Sequence, residues 1–316
     1  MTPTQGDTMH SDNGLWPDGA RLAVTVSMQF EGGGQPISGA PGPVSEPIQA
    51  GRPDLPQNSF YEYGVHEGIP RMLDLFDAHQ IKITSFMIGE AVEKRPQLAA
   101  EIVRRGHEAA AHGRRWENQY LLPSEEETRW ILDSVEAIER ATGTRPRGYN
   151  NYWMRGSAHT LEILQQLGFT YHIDDLSADE PFIQTLPDGP FVTVPYTVHM
   201  NDIASFDFAH FSPHDYVQQL EDEFDQLYEE GATRRRMMSI SLHDRISGHA
   251  SRVRALNRFL TRARQRSDVW WARRDQIADW ALATPDVTPT VTRKPAEESG
   301  LPGASRLPVT DTTPGS

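Results

Sequence analysis

The sequence predicts an α/β barrel built from a single domain, and three observations carry that expectation. Apolar, β-branched runs alternate with amphipathic stretches six or seven times between residues 17 and 284, which implies a parallel sheet covered by helices. No composition break divides that stretch, so one domain accounts for it. No Gly-x-Gly-x-x-Gly follows a strand, so a closed barrel is preferred to two Rossmann-type halves.

The elements follow in order. "RLAVTVSMQF" has β-branched residues and neither Pro nor Gly, and reads as a buried strand. "GVHEGIPRMLDLFDAHQ" carries apolar residues at helical spacing and leads into a second strand, "IKITSFMIG". "RPQLAAEIVRRG" is a helix closed by glycine, and "EAAAHG" is a small-residue strand. "SEEETRWILDSVEAIERATG" is a long helix whose Ser-x-x-Glu start fits a capping box. "RPRGYNNYW" gives a strand and loop, and "SAHTLEILQQLG" a helix. "FTYHID", "FVTVPY" and "MMSISLHD" are further strands, "HDYVQQLEDEFDQLYEEG" and "HASRVRALNRFLTRARQR" are helices, and "VWWARRDQIADWAL" closes the domain.

Residues 32–64 form one long irregular segment rich in Gly and Pro. Segments of that length inside a compact domain usually serve function, and this one is expected to lie as a lid over the site. Residues 1–16 are polar and residues 285–316 are rich in Pro, Thr, Ser and Gly. Both are expected to be disordered tails, because neither can bury enough apolar surface to offset its ordering entropy. The barrel domain is therefore assigned to residues 17–284.

A net charge of −14 argues against nucleic acid and anionic membranes as partners, since both require a basic surface. A small-molecule substrate is expected instead. There are no cysteines, which excludes disulfides, thiol catalysis and cysteine zinc sites. The N-terminus lacks a basic region followed by an apolar run, and no stretch approaches the roughly 18 apolar residues of a membrane span. A cytoplasmic enzyme is the default expectation.

In (β/α) barrels the chemistry sits at the carboxyl ends of the strands. That rule selects Glu31, His112, Asn150, Asn151, Tyr196 and His243. Acid, base and imidazole candidates thus converge on one rim.

The segments "VTVSMQFEGG", "RRGHEAAAHGRRW", "ATGTRPRGYNNYW", "LQQLGFTYHIDD", "VPYTVHMNDI", "LYEEGATRRRMMSISLHDRISG" and "VWWARRDQIADW" resemble the polysaccharide deacetylase (NodB-homology) superfamily. The resemblance runs from about Arg21 to Leu282 and implies a distorted (β/α)7 barrel. It is strongest to the branch that contains the metal-independent allantoinase and the cyclic imidases. The metal-dependent members carry two adjacent Asp after the first strand and two His four residues apart after the third. Here those places hold Glu31–Gly32 and His112 with Trp116. A catalytic divalent site normally needs three protein ligands, so the resemblance implies a metal site that has lost its metal, and no cofactor is expected.

By the same resemblance Glu31 is the general base and His243 the general acid, with His112 positioning the water or polarising the carbonyl. Burial is expected to raise the Glu31 pKa. Trp116 would wall a planar ring, and Tyr196, Asn201 and Asp202 would contact its nitrogens and oxygens. Glu117, Asn151 and Arg155 join the substrate-contacting set. The superfamily often holds its catalytic carboxylate with an Arg after the fourth strand; Asn150 stands there, and Arg155 is the candidate replacement. His107, in "GHE", is expected to be structural. The function implied is hydrolysis of a C–N bond in a small cyclic amide, imide or ureide, in a homo-oligomer. Two alternatives stay open: a metal-dependent N-deacetylase using one divalent ion such as zinc, held by Glu31, His112 and Glu117, and an inactive ligand-binding barrel.

Overall fold

A computed structural model describes residues 16–44, 46–286 and 288–292. Its centre is β1 (Leu22–Phe30), buried along its whole length. A strand with β-branched and sulfur side chains on both faces can only sit inside a sheet covered on both sides. β2 (Thr84–Met87), β3 (Glu108–Ala111), β4 (Gly148–Tyr149) and β5 (Tyr171–His172) follow on one flank, each parallel to the last.

β6 (Phe182–Leu186) and β7 (Gly189–Thr193) form an antiparallel hairpin, and β7 runs parallel to β5. β8 (Met237–His243) pairs in parallel with β1 on its other flank, and β9 (Val269–Trp271) pairs with the start of β1. A parallel bridge from Asn201 to Ser241 spans the gap between β8 and the segment after β7. Seven strands, β1 to β5 with β7 and β8, thus form a ring closed by one bridge. β4 and β5 are two residues each, which distorts that side. This is the expected distorted (β/α)7 barrel.

The helices form the outer layer. In Pro213–Glu230 the buried residues Tyr216, Val217, Leu220, Phe224 and Leu227 fall on one side of the helix, so one face meets the barrel. Its start is a capping box between Ser212 and Asp215. The box expected at Ser124 does not form: Ser124 is already the first helical residue of Ser124–Thr142 and Pro123 precedes it. Glu127 turns inward instead and accepts hydrogen bonds from Gln119 (2.8 Å), Ser157 (2.6 Å) and Thr160 (2.5 Å). A fully buried carboxylate needs such donors more than a helix end does.

Three boundaries differ from the sequence reading. The segment 32–64 is irregular only to Asp54, which caps a helix over Leu55–Tyr63. Trp16, assigned to the tail, is buried against Trp270 and Trp280. At the other end β10 (Thr290–Thr292) pairs in parallel with β6, and Thr288 is buried. A short β-branched run extends an open sheet edge there, against the composition of its surroundings. The rest of the expected tails, residues 1–15 and 293–316, lies outside the described residues. Among the described residues no helix is long and apolar enough to cross a membrane.

Candidate active site

Glu31 follows β1 at its carboxyl end and is buried, 3% exposed. Strand alternation puts Gln29 on the same, inward side. His112, after β3, brings Nε2 to 3.2 Å from Glu31 Oε1, and its Nδ1 lies 2.8 Å from the carbonyl oxygen of Asn150. A carbonyl only accepts, so His112 Nδ1 is the donor. His243 ends β8 and faces the same carboxylate, with Nε2 4.0 Å from Glu31 Oε1.

Behind His243 stands Asp202. Its Oδ1 accepts from His243 Nδ1 at 2.6 Å, and its Oδ2 accepts from the His243 backbone N–H (2.7 Å) and from Ser247 Oγ (2.7 Å). Asp202 was expected to touch a substrate ring. It is fully buried and orients the imidazole instead, leaving Nε2 toward the cavity. Asn201 lines the cavity, but its amide is spent on the protein: Oδ1 accepts from Ile203 N–H and Nδ2 donates to the Tyr196 hydroxyl.

The carboxylate partner that sequence reasoning missed is Arg245. Its Nη1 donates to Glu31 Oε2. The guanidinium is 2% exposed and packs against the rings of Tyr61 (4.3 Å) and Trp116 (4.9 Å), which themselves meet edge to face. The turn Asp244–Ser247 folds back directly after β8 and carries Arg245 under Glu31. Arg155 does not take this role; it is exposed and lines, with Glu117, an adjoining outer cavity that shares Trp116, Tyr152 and Trp153 with the Glu31 cavity. The signal available was proximity in sequence, since Arg245 follows His243–Asp244. Asp244 is structural: its Oδ2 accepts from the backbone N–H groups of Glu31 and Gly32, both at 2.9 Å.

These neighbours set the charges. Burial by itself raises the Glu31 carboxyl, but Arg245, His243 and His112 outweigh it and hold it well below the usual carboxylate range. The expected upward shift is therefore reversed, because sequence reasoning counted burial without the guanidinium. Burial disfavours the charged form of His243, yet the Asp202 and Glu31 carboxylates outweigh it and raise the imidazole above its ordinary value. An ionised Glu31 thus faces an imidazole whose protonated form its carboxylate neighbours favour. Burial pushes Asp174 up to about 6, against the donors of Asn151 and Asn150.

The cavity between these groups has a volume of about 120 Å³. Glu31, His112 and His243 lie among its polar lining, with Asn150, Asn151 and Tyr196, and Trp116 forms one wall. Trp153 and Phe208, 6.2 Å apart and nearly parallel, also line it. Neither was singled out from the sequence. Trp153 and Met154 both hold a positive φ, 53° and 58°, a strained conformation that often marks functional sites. Pro41, Gly42 and Pro43 of the long irregular segment line a second cavity that shares Trp116 and Trp153 with the first. His107 is elsewhere: it is buried, accepts from Ile83 N–H at 3.1 Å, and is lowered to about 4, chiefly by burial.

The trio proposed for a divalent ion is not assembled. Glu117 pairs with Arg115 at 2.9 Å and does not line the Glu31 cavity, and among the described residues no three His, Asp or Glu gather as a metal site. A cation at Glu31 would also have to compete with Arg245. At Gly32, where metal-dependent members carry a ligand, a Cβ would meet Tyr61 O at 2.7 Å and Val65 Cγ1 at 2.8 Å. As arranged, this donor set does not fit a divalent ion.

A carboxylate facing an oriented imidazole at the strand ends of an α/β barrel is equipped for general acid–base chemistry. The comparisons name its kind. The polysaccharide deacetylase family model matches residues 59–172. A Schizosaccharomyces pombe relative that bears the name "Putative polysaccharide deacetylase" is 30% identical over 302 residues, covering 87% of this chain and 94% of its own. The crystal structure of PuuE allantoinase aligns with a TM-score of 0.80 at 31% identity, over 90% of this chain and 99% of that one. A Pseudomonas aeruginosa PAO1 structure, described as a probable polysaccharide deacetylase, also reaches 0.80, at 32% identity over 85% and 93%. The chain belongs to the polysaccharide deacetylase family and is a deacetylase-family hydrolase.

Proposed function

We propose that the protein hydrolyses a C–N bond in a small cyclic ureide or imide without a metal ion. The observation that carries this reading is Arg245, a fixed internal cation bonded to Glu31. Likeness to an allantoinase over nearly its full length supports it.

In this reaction Glu31 takes a proton from water, and the hydroxide oxygen adds to the ring carbonyl carbon. The tetrahedral intermediate collapses as its C–N bond breaks, and His243 Nε2–H protonates the departing nitrogen. The products are a carboxylic acid and a freed amide or amine nitrogen. The proton left on Glu31 passes back to His243 and restores the pair. Asp202 keeps the His243 ring in the tautomer and orientation this requires, and His112 Nε2 stands beside Glu31 Oε1. A carboxylate held low by a guanidinium is a weak base, which suits the activated carbonyl of an imide or ureide better than that of an acetamide.

A second reading, a metal-dependent N-deacetylase, has the polysaccharide deacetylase names of two relatives in its favour. Hydrolysis of allantoin, hydantoin, succinimide, phthalimide and an N-acetylated sugar, before and after exhaustive chelation with bound metal counted, separates the two. Ring turnover by metal-free protein is expected. Turnover that disappears with the metal and returns with zinc would sink the metal-independent mechanism.

The cytoplasmic location and a homo-oligomeric state remain part of the proposal. Size-exclusion chromatography with light scattering tests the second, and a monomer at working concentration would refute it.

A further inference from the structure

Two side-chain amides among the residues lining the cavity each leave an oxygen unpaired. Gln29 Oε1 and Asn151 Oδ1 are buried and have no hydrogen-bond partner. Both residues line the cavity beside Glu31 and His112.

Their orientation is dictated from below. An ionised carboxylate only accepts, so Asp174 draws the amino ends of Asn150 and Asn151 to itself, each at 2.6 Å. The Asn151 backbone N–H adds a bond of 3.0 Å. Asn150 must then turn Oδ1 away from Asp174, where it accepts from Gln29 Nε2 at 3.4 Å. Gln29 is left presenting Oε1. Flipping Asn150, Asn151 or Gln29 sets oxygen against oxygen, so the assignment follows from the network. Unpaired buried acceptors carry a desolvation cost that a ligand donor relieves.

We infer that Gln29 Oε1 and Asn151 Oδ1 are an acceptor pair that recognises two N–H groups of the substrate, with Asp174 as the positioning residue that fixes their polarity. The inference rests on reading this cavity as the substrate site of a ring hydrolase. It narrows the substrate to rings whose nitrogens are unsubstituted. An N-alkylated ring has no donor to offer and leaves both oxygens unpaired, a mismatch that polar sites reject strongly.

The test compares hydantoin with 1,3-dimethylhydantoin at mildly alkaline pH, where Asp174 is ionised. Binding is measured by calorimetry in Glu31→Gln protein, independently of turnover, and turnover is measured in the unmodified protein. Hydantoin is expected to bind at least about tenfold more tightly than its dimethyl analogue. Gln29→Met and Asp174→Asn, each made in the Glu31→Gln background and checked for folding by circular dichroism, are each expected to shrink that ratio severalfold. A purely structural role for either residue would weaken both ligands alike and leave the ratio unchanged. Equal binding of the two ligands, no binding of either, or an unchanged ratio in folded Gln29→Met protein overturns the acceptor pair. N–H-selective binding without turnover of any ring keeps the acceptor pair and sinks the hydrolase reading.

Discussion

Replacing Arg245 with methionine isolates what holds Glu31 ionised. Both side chains are buried, at 2% and 3% exposure, so solvent cannot take over the guanidinium's part. Removing one partner of a buried ion pair costs about 3–5 kcal/mol, because the other charge is left uncompensated. With Arg245 in place the folded Glu31 pKa is depressed. The pair's stabilisation is then fully present above the ordinary carboxylate value and is lost only as pH falls through the depressed one. Without Arg245 the folded pKa rises back toward the ordinary value, because only His243 and His112 are left to oppose burial. Less of the stabilisation is then present above the ordinary carboxylate value. Loss of an adjacent opposite charge moves a carboxyl by about 1–3 pH units. The acid limb of kcat/KM should move up by that amount, and thermal stability near neutral pH should fall. Arg245→Lys should recover part of both, since it restores charge but not the planar guanidinium against Tyr61 and Trp116. A folded Arg245→Met protein whose acid limb stays in place would refute the electrostatic argument.

Asp202→Asn should lower kcat by about 10²–10⁴. Its alkaline limb should shift downward, because Asp202 raises His243; a profile that changes only in height would count against the orienting role. Gly32→Asp, which restores one ligand type of the metal-dependent members, should destabilise by about 1–3 kcal/mol through overpacking against Tyr61 and Val65. Stable zinc binding by that variant, read by isotope or mass spectrometry, would contradict the packing argument. Trp153→Ala should raise KM for planar rings more than it lowers kcat, since Trp153 offers the cavity an apolar ring face and no acid or base; a kcat-only effect would argue otherwise.

The barrel and the positions of Glu31, His112 and His243 were legible because they depend on local patterns. Buried strands are written as β-branched runs, helices as 3.6-residue periodicity, and parallel barrels put chemistry where strands end. Trp16 and β10 were not legible, since each is placed by a distant partner that tail composition does not reveal.

By itself the sequence determined which residues stand at the strand ends and which ligand types are missing beside them. Tertiary structure alone decided how those groups are charged and paired. Arg245 meets Glu31, and Asp202 meets His243, only when the turn after β8 and the segment after β7 close over the same rim. Arg155 was the wrong cation for the same reason: its sequence position was suitable, but its loop carries it to the outer surface. Charge in a buried site depends on the three-dimensional neighbours of each group, and sequence spacing does not encode those neighbours.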